Sequence, residues 1–125
     1  MEQALRYELI KAIPDLNNSI YPTNAPETAT KPYLVYMRIN TDKAKTLKGF
    51  EGSQALSFMF NIMTQKYSSM KSLTKKVEDF LMSLPGTTIG EKNISIQDID
   101  INNITEQYEH ELQVNRGIID FTIYF

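Results

Sequence analysis

The chain has no cysteine, no tryptophan and one histidine, with only five glycines and five prolines in 125 residues. Zero cysteine excludes a disulfide scaffold, a thiol nucleophile and any cysteine-ligated zinc or iron–sulfur centre. A single histidine excludes a multi-histidine metal centre. No apolar run approaches the roughly 20 residues that span a bilayer, and the opening MEQALRYELI lacks a signal-peptide layout. A soluble intracellular domain is expected. A chain of this length buries about two-thirds of its unfolded surface, enough for one ordinary core over residues 1–125.

What is present is a charge asymmetry. The net charge is −2. Residues 1–90 carry 11 Lys and Arg against 8 Asp and Glu, a balance of +3, while residues 91–125 carry 2 against 7, a balance of −5. The basic side gathers in Arg38, Lys43, Lys45 and Lys48, then Lys66, Lys71, Lys75 and Lys76. The acidic side includes Asp98, Asp100, Glu106, Glu109 and Glu111. Two readings follow: complementary patches suited to head-to-tail self-association, or solvated loops that differ in sign. The acidic overall balance and the lack of aromatic stacking partners among the lysines argue against nucleic-acid binding.

Periodicity predicts the elements. Leu5, Leu9, Ala12 and Ile13 give a helix that stops before Pro14. Residues 15–32, dense in Asn, Thr and Pro, read as an extended connection pinned by Ile20 and Tyr21. Tyr33–Asn40 reads as a central strand, and Thr41–Gly52 as a polar, basic hairpin loop or arm. Ser53–Gln65 is a longer strand with Leu56, Phe58, Phe60 and Ile62 facing the core. Its opposite face, with Met59 and Met63, suits either a protein contact or a loop cover. Ser68–Leu84 is the clearest helix, carrying a Met70, Leu73, Val77, Phe80, Leu81 and Leu84 stripe, with Ser68 or Ser69 as the cap and Pro85-Gly86 as the stop. Beyond it, the isoleucines from Ile94 to Ile104 break phase between Ile96 and Ile99. That suggests a bulge or two short strands. A last strand is expected over about Glu106–Phe125, with a bulge at Gly117-Ile118. The expected fold is α+β: a mainly antiparallel sheet of about four strands with two principal helices packed on it, in the order α-β-β-α-β-β.

Few groups could do chemistry. His110 lies between Glu109 and Glu111, but strand alternation turns it away from both. Asp98 and Asp100 share a strand face without a third oxygen ligand at metal-loop spacing. Gly49 and Gly52 do not link a strand to a helix, so no phosphate-cradling loop is supported. The serines lack a glycine-flanked elbow. Lys43, Lys45 and Lys48 with Phe50 form the most basic stretch, either a protruding arm or a solvated hairpin tip. No catalytic, cofactor-binding or metal-binding residue is assigned.

The order of motifs carries a likeness. IYPTNAPETATKPYLVYMRI (Ile20–Ile39) supplies an "IYP…AP…PY-V-Y" signature at Ile20, Tyr21, Pro22, Ala25, Pro26, Pro32, Tyr33, Val35 and Tyr36. Tyr67 precedes the helix in ALSFMFNIMTQKYSSMKSLTKKVEDFL, and Arg116–Phe125 fits a closing "R-hydrophobic-D-F-x-hydrophobic-x-F/Y" pattern. Over nearly its whole length the chain resembles the small tail-completion proteins of long-tailed bacteriophages and prophages, the tail-terminator family. The resemblance implies a non-enzymatic virion protein without cofactors, an α/β sandwich with helices on one side of a sheet. It implies a ring, typically hexameric, at the head-proximal end of the tail, assembled in the host cytoplasm. Its partners would be further copies of itself, the tail tube protein and the head–tail connector or stopper, with no membrane and no sequence-specific nucleic acid. On that reading Lys43, Lys45, Lys48, Phe50, Met59, Met63, Asp98, Asp100, Glu109 and Glu111 are the expected protein contacts. Rival readings are another neck protein (a stopper or adaptor), or a small enzyme or RNA-acting toxin using His110, Arg116 and Tyr108.

Overall fold

In a computed structural model, the described residues are 2–16, 19–23, 25, 31–39, 55–110 and 113–125. Helix α1 (Glu2–Ala12) buries Ala4, Leu5 and Leu9. Its acidic first turn and Lys11 in the last turn both suit the helix dipole. Pro14 ends it and opens a single 3₁₀ turn through Leu16. Helix α2 (Tyr67–Met82) buries Met70, Leu73, Thr74, Val77 and Leu81. The expected serine cap is replaced: Lys66 is the N-cap and makes no side-chain capping bond. Thr64 Oγ1 instead donates to the Lys66 carbonyl at 2.7 Å, fixing the entry into the helix.

The strands are β1 (Ile20–Pro22), β2 (Tyr33–Ile39), β3 (Ala55–Thr64), β4 (Thr88–Ile89), β5 (Ile94–Ser95), β6 (Asp98–Glu109) and β7 (Val114–Tyr124). Five of them form a mixed sheet in the order β1-β2-β3-β7-β6, and β4 and β5 form a separate hairpin. Only the β1–β2 pair is parallel. The α+β class and the mainly antiparallel sheet agree with the sequence reading, and the strand count rises. The connection expected to be irregular contains β1, because Ile20 and Tyr21 lie alongside Leu34 and Val35 in register. The single final strand is two. β6 ends at Glu109, Gln113 takes a positive φ of 49°, and β7 returns antiparallel from Val114.

The bulge also moves. Pairing through Gly117 is continuous on both sides, to Ile62 and to Glu106. The irregularity lies at Ile101/Asn103. This one-residue insertion keeps Ile99, Ile101 and Ile104 all in register with the core-facing Ile123, Phe121 and Ile119. Gly117 has a packing reason instead. A Cβ there would overlap Thr74 Oγ1 and stand 3.2 Å from Met70 Sδ, so only glycine lets α2 come this close to β7.

The core lies between the helices and one sheet face. Phe58, Phe60, Ile62, Ile119, Phe121 and Ile123 are all fully buried there. Phe121 stacks on Phe58 at 5.7 Å and meets Phe60 edge-on at 4.8 Å. Each such side chain contributes about 1.5–3 kcal/mol through burial. Both helices sit on this side: Glu2 of α1 reaches Arg38 at 3.8 Å, and Tyr67 and Lys71 of α2 reach Glu106.

Candidate protein-contact surface

The other sheet face carries no helix among the described residues. Register places Tyr33, Val35, Met37 and Ile39 of β2 on it, beside Met63, Asn61, Met59 and Ser57 of β3 and Arg116, Ile118, Asp120 and Thr122 of β7. Met59 is half-buried in a row with Met37 and Asp120, and Met63 is buried in a row with Tyr33 and Arg116. Polar groups thread between these apolar ones. Ser57 and Thr122 share a hydrogen bond at 2.9 Å, and Arg116 pairs with Glu109. Glu109 therefore serves an intrachain ion pair on this face.

Asp98 and Asp100 are exposed at the start of β6. The Tyr124 hydroxyl donates to Asp100 Oδ2 at 2.9 Å, and that bond, with some burial, pushes the phenol above its ordinary range. Asp98 Oδ1 accepts from the Ile99 N–H at 2.8 Å. A cleft opens between these residues and Gly86 and Ile96. Lys43, Lys45, Lys48, Phe50 and Glu111 lie outside the described residues.

Folding closes part of the charge asymmetry within the chain. Lys71 of α2 reaches Glu106 of β6 at 2.9 Å, and this contact holds the carboxyl below the usual carboxylate range. Lys76 binds Asp15 at 2.6 Å and lowers it in the same way. Among the described residues, no Lys or Arg forms such an ion pair with Asp98 or Asp100. The sequence reading had grouped all these acids together. The structure divides them into Glu106 and Glu109, which pair with Lys71 and Arg116 of the same chain, and Asp98 and Asp100 at an acidic sheet end.

Three exposed apolar side chains were missed by sequence reasoning. Tyr67, Ile104 and Tyr108 surround the Lys71–Glu106 pair at the outer edge of the sheet. Ile104 sits in phase with core isoleucines, so only the sheet order reveals that it stands at an edge. The three residues of the enzyme reading do not all converge. His110 is exposed beyond β6 and lies edge-on to Tyr108 at 4.9 Å, while Arg116 turns to the helix-free face. Among the described residues, no group of three or more His, Cys, Asp or Glu could hold a metal ion. No described helix is long and apolar enough to cross a membrane.

Among the described residues, these features define a small α+β protein with one helix-covered sheet face, one face without a helix and an exposed sheet edge. The family model for tail completion protein gp17 matches residues 7–125, and the chain belongs to that family. The family is one of phage structural tail proteins, so the likeness drawn from the residues holds. The same fold occurs in a chain from the virion of a native gene transfer agent particle. That match has a TM-score of 0.66 and 14% identity, covering 95% of this chain and 90% of the other. No curated protein matches.

Proposed function

We propose that residues 1–125 form one tail-terminator domain that assembles as a homo-oligomeric ring, a hexamer, at the head-proximal end of the tail tube. The ring ends tube polymerisation and offers its outer surface to the head–tail connector or stopper. It works by shape and contact, without catalysis or a cofactor. The family match across residues 7–125 carries this reading, and the shared fold with a gene transfer agent virion chain supports it. A ring demands a heterologous interface, in which one patch of a subunit meets a different patch of its neighbour.

The acidic sheet end at Asp98 and Asp100 supplies one such patch, and Lys43, Lys45 and Lys48 with Phe50 supply chemistry for the other. Met59, half-buried on the face without a described helix, contributes apolar surface towards the tube, backed by the buried Met63, where flexible thioethers adapt to a repeating partner. Assembly takes place in the host cytoplasm, and the protein then resides in the particle. The test is electron microscopy of the purified protein added to growing tail tubes. Ring-shaped density on one tube end supports the reading, and tubes that grow on unaltered overturn it.

A further inference from the structure

Asp120 stands midway along β7 on the face that carries no described helix. Its row across the sheet holds Met37 and Met59 on one side and Asn103 on the other. Along β7, Ile118 and Thr122 flank it on the same face. Asp120 Oδ1 is buried and makes no hydrogen bond. Folded chains leave few such atoms, because a buried acceptor without a donor costs stability. The other unbonded atom on this face, Arg116 Nε, at least belongs to a guanidinium that pairs with Glu109.

Charge isolates the same residue. The five strands of the sheet contain no lysine. Their two arginines, Arg38 and Arg116, pair with Glu2 and Glu109. Of the sheet's acids, Glu106 is held by Lys71, and Asp98 and Asp100 lie in the patch assigned above to the ring. Asp120 is left among methionines with no cation of this chain beside it among the described residues.

Resting on the tube-docking reading above, we propose that Asp120 anchors a basic side chain, an arginine by preference, of the tail tube surface that this face meets. A guanidinium can fork onto the carboxylate while its flat face lies on the Met37 and Met59 side chains. A second copy is a poor source. The chain has three arginines; Arg6 Nε donates to the Ile20 carbonyl at 3.1 Å, and Arg38 and Arg116 are paired. A nucleic-acid backbone would meet three aspartates on this face and be repelled.

The test is Asp120→Asn, which keeps the shape and removes the charge. Three quantities are read: binding to preformed tail tubes by co-sedimentation across a salt series, self-assembly by light scattering, and thermal unfolding of the free chain. Tube binding is expected to weaken about tenfold or more and to lose part of its salt dependence. Self-assembly should be unchanged, and Tm should stay level or rise, because the free chain gives this oxygen no partner. Unaltered tube binding overturns the proposal. Lost self-assembly also overturns it, since the face would then meet a second copy, and a lower Tm does so by revealing a partner within the chain. If the unmodified protein does not bind tubes at all, the tube-docking reading itself fails and takes the anchor with it.

Discussion

Replacing Gly117 by Ala tests how β7 and α2 meet. The new methyl group overlaps Thr74 Oγ1 and lies 3.2 Å from Met70 Sδ, and both neighbours are themselves buried. Overpacking of this kind costs about 1–3 kcal/mol. Alanine also restricts the unfolded chain, which offsets roughly 0.5–1 kcal/mol. The net loss is about 1–2 kcal/mol, or about 4–8 °C in Tm for a domain of this size. Thr74 Oγ1 is buried and makes no hydrogen bond, so Thr74→Ala alone is expected to cost little. The double variant should regain most of the loss, because the space taken by the new methyl group is the space vacated by the hydroxyl. The assay is urea and thermal unfolding of all four proteins, read as a double-mutant cycle. A Gly117→Ala variant that is neutral, or equally destabilised with and without Thr74, refutes the close approach of α2.

Two further predictions concern charge. Glu106 and Asp15 have carboxyls held low by Lys71 and Lys76. Their stabilisation is present above the ordinary carboxylate value, about 4, and is lost as pH falls through the lowered folded values. The urea midpoint should therefore drop between pH 6 and pH 3, and Glu106→Gln should flatten part of that drop; an unchanged profile contradicts the Lys71–Glu106 contact. Reversing Lys43, Lys45 and Lys48 to Glu should weaken assembly and remove much of its salt dependence. Light scattering across a salt series checks this, and unchanged curves exclude the segment from the interface.

The sequence showed most clearly those elements whose periodicity is strong and internally complete. α2 declares itself through five buried positions on one stripe, and β3 through the alternation from Leu56 to Ile62. β1 was invisible because three residues acquire strand character only by lying against β2. The β6–β7 turn was missed because residues 109–113 contain no glycine, proline or asparagine, and Gln113 supplies the positive φ instead. Gly117 was legible as special but misassigned, since its reason is a helix that arrives from elsewhere in the chain. Of the expected contact residues, half lie within the described residues at positions their local pattern indicates, although no partner is present to touch them. Asp98, Asp100, Met59 and Met63 fall on exposed or helix-free positions. The free β6 edge depends on strand order, which no local pattern encodes.

The central claim is that this chain ends the growth of a tail tube, and tube length measures it directly. Purified tube protein polymerised with and without the chain, then sized by electron microscopy, gives the comparison. The account predicts shorter tubes of narrowed length, each with added density at one end. Equal lengths and bare ends in both samples would contradict it.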